Sequence, residues 1–395
     1  MAKNIVICTD GTWNRPDQKD RGRVVPSNVV KMARAVSDKG KRGDRDQIYY
    51  YDTGVGTGNI INKVIGGITG AGLVLNTKQA YSFVCQHYQE GDQLYIFGFS
   101  RGAYTARYLA GMIGRVGIRK DVAEIPREER IAKIEESFKQ SRKWRGKPHE
   151  MPEEIKSELR DFRNQYCHDD NTVHFLGVWD TVGSLGIPLK PIGWIGRWRF
   201  RFVDVRLGPH ISNAFHALAI DEKRKNFRPT LWDTKDDGNS AQVIEQVWFP
   251  GVHSNIGGGY ADTGLSDRTL HWIVLKAESC GLGIDGQFMQ RRTEPNYHGE
   301  LRDSKKGFWK LLGERPRKVC GAKGVNQLVH FSSEARSQHT TNAYWPKNLM
   351  TVLSRRPKPM AHVVEGEKQL NYFAGYKSVG AAKGYEPESW VLKKN

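Results

Sequence analysis

Short apolar runs rich in β-branched and aromatic residues alternate with segments of helical spacing along the chain up to residue 285. Runs of this kind form buried strands, and apolar residues at every third or fourth position form one face of a helix. The alternation is typical of a parallel sheet with helices on both faces, so it predicts an α/β fold with a mainly parallel central sheet. The predicted strands are residues 4–9, 47–51, 93–99, 172–178 and 242–249, and the predicted helices are residues 28–36, 76–89 and 101–113.

The strand predicted at residues 93–99 ends in a G-x-S-x-G sequence, Gly98-Phe99-Ser100-Arg101-Gly102, and a helix rich in Ala and Gly follows it. A serine on such a strand-to-helix turn is exposed on a strained backbone, and the flanking glycines let the strand and the helix pack closely. The first N–H groups of the helix then face the substrate oxyanion. This context predicts that Ser100 is the nucleophile of an α/β-hydrolase, with an ordinary Gly-Ser turn as the alternative.

A serine hydroxyl becomes a good nucleophile when a histidine takes its proton and a carboxylate orients that histidine. In this fold both partners follow later strands, in the order Ser, Asp or Glu, His. Asp180 comes directly after the strand predicted at residues 172–178, and His253 comes shortly after the strand predicted at residues 242–249. We therefore predict that Asp180 is the acid and that His253 is the base.

Other residues compete for these two roles. Asp221 also lies between the nucleophile and the base, and it is the alternative acid. However, residues 214–224 have helical spacing, and an Asp on such a helix beside Lys and Arg forms a surface ion pair more often. His210 and His216 fall on the same predicted helix, at residues 209–224, while His87 and His174 fall inside another helix and a strand. None of these four histidines follows a strand, so His253 is favoured.

The oxyanion hole needs a second N–H group, usually from the loop after another central strand. Asp10, Gly11 and Thr12 follow the first predicted strand. We predict that N–H groups of Arg101 and of the Gly11–Thr12 loop bind the oxyanion and that Asp10 braces the loop. A loop held by an Asx turn without a catalytic part is the alternative. The glycine-rich residues 53–58 lack the Gly-Lys-Ser/Thr ending of a P-loop, and we interpret them as a loop at the mouth of the site.

Taken as a set, these motifs resemble a known family. The resemblance is to the type VI secretion phospholipase effectors of the first lipase class and the wider, mostly uncharacterised α/β-hydrolase family around them, over residues 3–279. It implies a Ser-Asp-His triad at Ser100, Asp180 and His253 that acts on esters, with phospholipid acyl chains as the best-known substrates. The effectors are longer, with membrane-associating parts beyond the hydrolase core. The motifs are Asp10-Gly11-Thr12 with Asn14, the Tyr-x-x-Gly-Val-Gly-Thr string at residues 51–57, Gly98-Phe99-Ser100-Arg101-Gly102-Ala103, Trp179-Asp180-Thr181-Val182-Gly183, His216-Ala217-Leu218-Ala219 with Asp221-Glu222, and Trp248-Phe249-Pro250-Gly251-Val252-His253-Ser254 through Gly257-Gly258-Gly259-Tyr260.

Two stretches depart from the alternation of strands and helices. Residues 121–164 are highly charged, with nearly balanced signs and helical spacing, which predicts a solvated helical insertion at residues 119–165 that caps the core. Beyond residue 285 the pattern weakens into segments rich in Gly, Lys and Arg. We therefore expect a catalytic α/β-hydrolase domain at residues 1–285 and a basic C-terminal extension, residues 286–395, that packs on or near this core.

The chain is strongly basic, with 61 Lys and Arg against 43 Asp and Glu and a formal net charge of +18. Residues 287–395 hold 20 of the basic and 9 of the acidic residues. A basic field attracts anionic lipid, nucleic acid or an acidic partner. Aromatic and cationic residues also interleave at residues 190–202, and this pattern suits a lipid interface. Stacking on single-stranded nucleic acid and a packed loop are the alternatives. The residues proposed for membrane or substrate contact are Trp194, Arg197, Trp198, Arg199 and Phe200.

The leading interpretation is a serine esterase or lipase that cleaves carboxylic esters of lipids, phospholipid acyl esters above all, through an acyl-enzyme. One alternative is an esterase or depolymerase for other acyl esters. Another is a nucleic-acid- or partner-binding protein with a relic hydrolase core. We expect a lipid ester substrate and an anionic membrane surface as partners, no nucleic acid, and no metal or organic cofactor. The five cysteines form no CxxC pair, which argues against a zinc ribbon or a disulfide framework. The first residues lack signal-peptide features, so we expect synthesis in the cytoplasm, and delivery by a non-classical route stays open.

Overall fold

A computed structural model describes most of the chain, and its main feature is a seven-stranded sheet in which every pair of neighbouring strands runs parallel. The strand order is β4-β1-β5-β6-β7-β8-β9. The described residues are 1–11, 14, 16–53, 71–144, 150–183, 207–232, 241–305, 313–321, 326–339, 344–355 and 359–361. The strands are β1 (Lys3–Thr9), β4 (Asp46–Asp52), β5 (Gln93–Phe99), β6 (Val173–Trp179), β7 (Ile211–Ala219), β8 (Val243–Phe249) and β9 (Gln327–Val329), and β2 (Lys19–Asp20) pairs with β3 (Arg23–Val24) in a separate antiparallel ribbon.

Helices cover both faces of this sheet. They are α1 (Asn28–Ala35), α2 (Ala71–His87), α3 (Arg101–Val116), α4 (Arg127–Ser141), α5 (Glu153–Tyr166), α6 (His253–Gly257), α7 (Gly264–Ser279), α8 (Gly286–Arg292), α9 (Phe331–His339) and α10 (Lys347–Leu353). The central strands read as continuous apolar runs because side chains on both of their faces are buried, in one core under α2 to α5 and in a second core under α1 and α7. The predicted α/β-hydrolase-like class, with a mainly parallel sheet between two helical layers, is confirmed.

The direction in which the chain adds strands reverses at β1, the second strand from one edge of the sheet. From β1 the chain moves to β4 on one side, and it then crosses back to β5 on the other side of β1. In open parallel sheets such a reversal leaves a crevice between the carboxyl ends of the two strands, and ligands bind there. Ser100 follows β5 and the Asp10–Gly11 segment follows β1, so the topology brings both to this crevice.

One element differs from the sequence-based expectation. Residues 209–224 were predicted to be helical, whereas residues 211–219 form β7, paired with β6 and β8. The sequence of β7 is ISNAFHALA, in which small residues alternate weakly with larger ones. Because both faces of this strand are buried at its carboxyl end, no period of two is visible, and a short apolar run without that period does not distinguish a strand from a helix. His216 therefore lies in a strand, and Asp221 lies just beyond its end.

The charged insertion forms two helices, α4 and α5. Each follows a proline and carries two glutamates in its first turn, where acidic side chains favour a helix N-terminus. Their few apolar side chains, Ile134, Phe138, Leu159 and Phe162, join the core on the α3 side of the sheet. None of the described helices combines the length and the hydrophobicity that a bilayer span requires.

The residues after 285 contribute to the sheet as well as to its surroundings. Strand β9 pairs with β8, and a third apolar cluster joins Leu218 and Trp248 of the sheet to Val319, Tyr344 and Leu349 of the extension. The boundary at residue 285 stays a prediction, but β9 and the apolar side chains of this third cluster lie against β7 and β8.

Candidate active site

The turn between β5 and α3 places Ser100 on a strained backbone. Ser100 has φ 57° and ψ −118°, a conformation that non-glycine residues rarely adopt. A Cβ atom at Gly98 would lie 2.6 Å from the Gly102 carbonyl oxygen, and one at Gly102 would lie 2.1 Å from the Thr9 carbonyl oxygen. Only glycine at these two positions lets α3 pass so close to β5 and β1. The half-buried Ser100 side chain is thereby presented at the crevice.

Three side chains from the ends of three strands form a chain of close contacts. The Nε2 atom of His253 lies 2.8 Å from Ser100 Oγ, and its Nδ1 atom lies 2.6 Å from Asp180 Oδ2. Asp180 is fully buried and His253 is 5% exposed. Asp180 also has a positive φ of 39°, directly after β6. The structure thus brings together the three residues that the sequence analysis singled out as nucleophile, acid and base.

An arginine that the sequence analysis did not select completes this cluster. Both terminal nitrogens of the buried Arg317 bind the Asp180 carboxylate, Nη1 at 2.5 Å from Oδ1 and Nη2 at 2.9 Å from Oδ2. Arg317 also donates to the carbonyl oxygens of Ala219 (3.1 Å) and Phe227 (2.6 Å), which fix its plane. Asp180 Oδ1 accepts a further bond from the Ala219 N–H at 3.1 Å. Burial alone would raise the pKa of Asp180, but Arg317 and His253 hold it well below its ordinary value.

The imidazole of His253 is held from several sides. The backbone N–H of His253 donates to Glu222 Oε2 at 3.2 Å, and Glu222 is itself paired with Arg224. The rings of Phe99 and Phe227 lie 4.8 and 5.0 Å from the imidazole, centroid to centroid. Burial lowers the pKa of His253 below its ordinary value, although Asp180 acts in the opposite direction. The imidazole is therefore neutral at pH 7 and able to accept a proton.

The loop after β1 is braced by Asp10, which is 2% exposed. Its carboxylate accepts four hydrogen bonds, from the Gly11 N–H (2.6 Å), Asn14 (3.0 Å), Ser27 (2.5 Å) and Tyr51 (3.0 Å). Burial still raises the pKa of Asp10 above its ordinary value. The bracing role expected for Asp10 is therefore consistent with these contacts.

Gly11 lies beside the serine, since a Cβ atom at Gly11 would be 3.3 Å from Ser100 Cβ. Its N–H is directed to Asp10, however, and not toward the serine, which departs from the oxyanion role predicted for that group. Arg101 stands at the first position of α3, where helix N–H groups point out of the helix end, and Thr12 lies outside the described residues. Burial lowers the pKa of the Arg101 guanidinium to about 10, so its side chain stays charged at neutral pH.

The alternative acid, Asp221, does not contact His253 through any hydrogen bond of the described residues. Its Oδ2 atom accepts bonds from the Gly251 N–H (2.7 Å) and the Tyr344 hydroxyl (2.8 Å), which tie the end of β7 to the loop before His253. The expectation of a surface ion pair at Asp221 is wrong, because this residue lies half-buried just beyond β7 with the two partners named above, and its removal from solvent raises its pKa to about 6. The competing His216 is also buried, and its Nε2 atom accepts the Thr181 N–H at 3.1 Å.

Several predicted residues lie outside the described part of the chain. They include the proposed membrane or substrate contacts Trp194, Arg197, Trp198, Arg199 and Phe200, and most of the glycine-rich loop at residues 53–58. Sequence reasoning missed Arg317 and Tyr344, which come from beyond residue 285. Arg317 belongs to the segment Glu314-Arg315-Pro316-Arg317-Lys318, where nothing in the sequence distinguishes it from Arg315.

A protein-family model matches most of the chain. The family model for the catalytic domain of Tle1-like phospholipase effectors of the type VI secretion system (T6SS) matches residues 3–276. An uncharacterised protein of Saccharomyces cerevisiae is 26% identical over 243 residues, which are 58% of this chain and 32% of that protein.

Two solved structures are similar at lower identity. An uncharacterised protein from Pseudomonas aeruginosa shares 18% identity over 73% of this chain and 47% of its own, with a TM-score of 0.41. The Tle1 effector bound to the VgrG spike from the type 6 secretion system shares 21% identity over 67% of this chain and 52% of its own, with a TM-score of 0.40. TM-scores this low do not support an assignment, so the family assignment rests on the match to the family model. The chain spans about half or less of each of these three relatives.

Proposed function

The chain belongs to the family of Tle1-like phospholipase effector catalytic domains of the type VI secretion system, and from that premise we propose that it is a serine hydrolase that cleaves acyl esters of phospholipids. The observation that carries the proposal is the contact chain from Ser100 through His253 to Asp180, with separations of 2.8 and 2.6 Å. It lies at the crevice where sheets of this topology bind ligands. The three side chains have the roles of nucleophile, general base and orienting acid.

In the proposed mechanism, Ser100 Oγ attacks the ester carbonyl carbon while its proton passes to His253 Nε2. The new C–O bond forms as the carbonyl π electrons move onto the oxygen, which becomes an oxyanion. When this intermediate collapses, the bond to the leaving alcohol breaks and the His253 imidazolium gives that alcohol its proton. Water then attacks the acyl-enzyme by the same route and releases the fatty acid. The first turn of α3, with the Arg101 N–H, supports an oxyanion site beside Ser100, and we assign the second donor to Thr12.

The acid keeps His253 in the right tautomer. With Asp180 ionised, Nδ1 of His253 carries the hydrogen and donates it, so that Nε2 is left to accept the serine proton. Arg317 supports this arrangement because its two bonds to the carboxylate keep Asp180 ionised in a fully buried position. A buried carboxylate without such a partner would tend to take up a proton.

Fluorophosphonate labelling together with phospholipid hydrolysis tests the proposal. The intact chain should react covalently at Ser100 and should release fatty acid from phosphatidylglycerol or phosphatidylethanolamine vesicles. Ser100→Ala should lose both activities while its far-UV circular dichroism stays unchanged. The matched control is Ser279→Ala, the same chemical change at an exposed serine at the end of α7, and it should behave as the wild type.

The substrate panel separates this proposal from its rivals. Hydrolysis of a short soluble ester without any release of fatty acid from vesicles would favour an esterase for non-lipid esters. A folded chain that is not labelled by fluorophosphonate would instead indicate a relic core without an activated serine. Full vesicle hydrolysis by a folded Ser100→Ala variant would remove Ser100 from the mechanism.

A further inference from the structure

A cavity of about 570 Å³ lies along the flank of α3. Its wall is formed by α3 from Arg107 onward, by α5 and by the segment at residues 207–211 that enters β7. The volume falls in the range of roughly 300–1,000 Å³ that is usual for small-molecule sites. Arg107 lies seven residues after Ser100, about 10 Å along the helix axis. None of Ser100, Asp180 and His253 is among the described residues that line the cavity.

The floor of this cavity is apolar. Met112, Leu159, Leu176, Leu207 and Trp232 line it, and each of these side chains is buried. They come from α3, α5, β6 and the loops on either side of β7, so the floor is built by several elements of the core. A surface of this kind gains free energy from contact with an alkyl chain, roughly in proportion to the apolar area covered.

The rim of the cavity is cationic. Arg115, Lys156, Arg160 and Arg163 line it, and no Asp or Glu is found among the described lining residues. Arg107 also lines the cavity, but it is buried over the Trp232 ring and donates to the Thr230 carbonyl oxygen. Lys156 and Arg160 form ion pairs with Glu153, at 3.3 and 3.0 Å, and this exposed glutamate, which lies outside the lining, partly balances their charge.

Two of these cations are already oriented by the backbone. Arg115 donates to the carbonyl oxygens of Ser141 (3.2 Å) and Trp144 (3.5 Å), and Arg163 donates to that of Gly114 (3.5 Å). Carbonyl oxygens orient a guanidinium group but do not cancel its charge. The half-buried arginines thus keep a positive field at the edge of an apolar floor.

From this combination we propose that the cavity binds a single-chain amphiphile with a carboxylate head, that is, a fatty acid. The alkyl chain lies on the buried floor toward Trp232, and the carboxylate lies among the rim cations. Arginine favours such a head because its fork of N–H donors matches a carboxylate. A fatty acid is also the acid that an acyl ester releases, but binding here does not require Ser100 to be a nucleophile.

Gly111 offers a way to close the cavity. This residue lines the wall, and a Cβ atom built on it would meet no atom within 4 Å. Gly111→Phe should therefore fill the cavity with a ring without moving the backbone, and Gly111→Ala should add only one methyl group. Both residues form helices better than glycine does, so α3 should not be weakened.

The test is calorimetric titration of the full chain carrying Ser100→Ala with octanoate, decanoate and decanol. We expect one carboxylate per chain, with a Kd that tightens by about an order of magnitude from octanoate to decanoate, as two more methylenes are buried. Decanol, which lacks the charge, should bind more weakly. Gly111→Phe should abolish decanoate binding, and Gly111→Ala should retain it.

Charge variants test the rim separately. Lys156→Gln with Arg163→Gln should weaken decanoate binding by about tenfold and leave decanol binding unchanged. The matched control, Arg291→Gln with Arg292→Gln on the exposed side of α8, removes the same charge elsewhere and should have no effect.

Three results would overturn the proposal. They are decanoate binding that survives Gly111→Phe in a variant with unchanged melting temperature, decanol that binds as tightly as decanoate, and inorganic phosphate that competes as well as decanoate does. Fluorophosphonate labelling of Gly111→Phe with Ser100 intact should match that of the wild type. Labelling therefore tests the proposed role of Ser100, and calorimetry tests fatty-acid binding in the cavity, so that the failure of one proposal is distinguishable from the failure of the other.

Discussion

Ser100 and Asp180 share an unusual backbone, with φ of 57° and 39°. Such conformations cost about 1–3 kcal/mol each and persist only where the surrounding structure imposes them. Both residues directly follow neighbouring strands, β5 and β6, and the Ser100 N–H donates to the Trp179 carbonyl oxygen at 3.0 Å, which ties the two turns together. The strain is thus concentrated at the two turns that direct the side chains of Ser100 and Asp180, the proposed nucleophile and the proposed acid, toward His253.

At the residue scale, the most informative substitutions are those of Arg317. Arg317→Met should lower kcat for a soluble ester by about 10²-fold, less than the roughly 10⁴-fold cost of losing the acid's function in serine proteases. Removing the cation raises the proton affinity of the buried Asp180–His253 pair, on the carboxylate as well as on the imidazole, so the pair takes up a proton at a higher pH. Since the neutral imidazole is the base, the acidic limb of the kcat/KM profile, which lies below pH 6.5 in the wild type, should move to higher pH.

Arg317→Lys separates charge from geometry at the same position. A lysine keeps the positive charge but cannot bind both carboxylate oxygens in one plane. The lysine variant should therefore keep the pH profile of the wild type and still lose kcat. Melting temperatures of both variants control for folding. Wild-type kcat and an unmoved profile in a folded Arg317→Met variant would leave Arg317 with a purely structural role.

At the scale of elements, the sequence predicted most of the framework correctly. Strands β1, β4, β5, β6 and β8 and the helices α1, α2 and α3 were found within a few residues of their ends, because each combines an apolar run or a helical period with a clear turn at its end. Strand β7 was missed because its last four residues, His216–Ala219 (HALA), fit a helix as well as a strand when they are considered without their neighbours. Strand β9 has only three residues and depends on its pairing with β8, which a local pattern does not record.

The position of a residue relative to a predicted strand also explains which residues of the site could be predicted. Asp180 and His253 could be selected as candidates because each follows a strand, and side chains at the carboxyl ends of parallel strands lie at the same edge of the sheet. Arg317 reaches Asp180 across 137 positions of sequence, and no period or motif signals such a contact. Likewise, the Gly11 N–H donates to the Asp10 carboxylate because of the side-chain conformation of Asp10, which the sequence does not specify.

Helix α7 carries a buried carboxyl group, and its effect on the free energy of unfolding depends on pH. Glu278 in its last turn is 2% exposed, and neither of its carboxylate oxygens has a hydrogen-bond partner among the described residues. Burial raises its pKa from 4.5 to about 8. The folded chain therefore holds this proton up to about pH 8, whereas the unfolded chain releases it near 4.5. Protonated Glu278 therefore makes its full contribution to the stability of the folded state below pH 4.5, and this contribution is lost as the pH rises through the pKa of the folded state.

Glu278→Gln should therefore gain stability over the wild type as the pH rises from 4.5 to 8, by up to about 1.4 kcal/mol per pH unit, and no further above 8. Glutamine has the shape of the protonated form and does not titrate. Urea unfolding at pH 5, 6.5 and 8 measures the difference, with Glu124→Gln at an exposed position as the control. A difference that stays constant over this range would contradict the pKa assigned to Glu278.

At the scale of the whole molecule, the family match ends at residue 276, but the structure does not divide there. Strand β9 covers the edge of β8, Tyr344 binds Asp221, and Arg317 binds Asp180, all from beyond that point. A chain ending at residue 285 should expose the β8 edge and lack two partners of buried carboxylates. Removing one partner of a buried ion pair typically costs about 3–5 kcal/mol.

We therefore expect residues 1–285, expressed alone, to be poorly soluble and not to react with fluorophosphonate. Co-expression with residues 286–395 as a separate chain should restore part of the labelling, since the contacts do not need a continuous backbone. Soluble yield and labelling rate, each compared with the intact chain, are the measurements. A fragment of residues 1–285 that labels as fast as the intact chain would show that the core is self-sufficient.

The position of Arg317 also has a consequence for the order of synthesis. Ribosomes make chains from the N-terminus at about 5–20 residues per second, so Ser100, Asp180 and His253 all emerge several seconds before Arg317. A nascent or prematurely terminated chain would contain every reacting group while its acid still lacked the cation that holds it. On the proposed function, the residues between His253 and Arg317 delay full activity, and a cell that makes a phospholipid-degrading enzyme is exposed to that activity only after Arg317 has emerged.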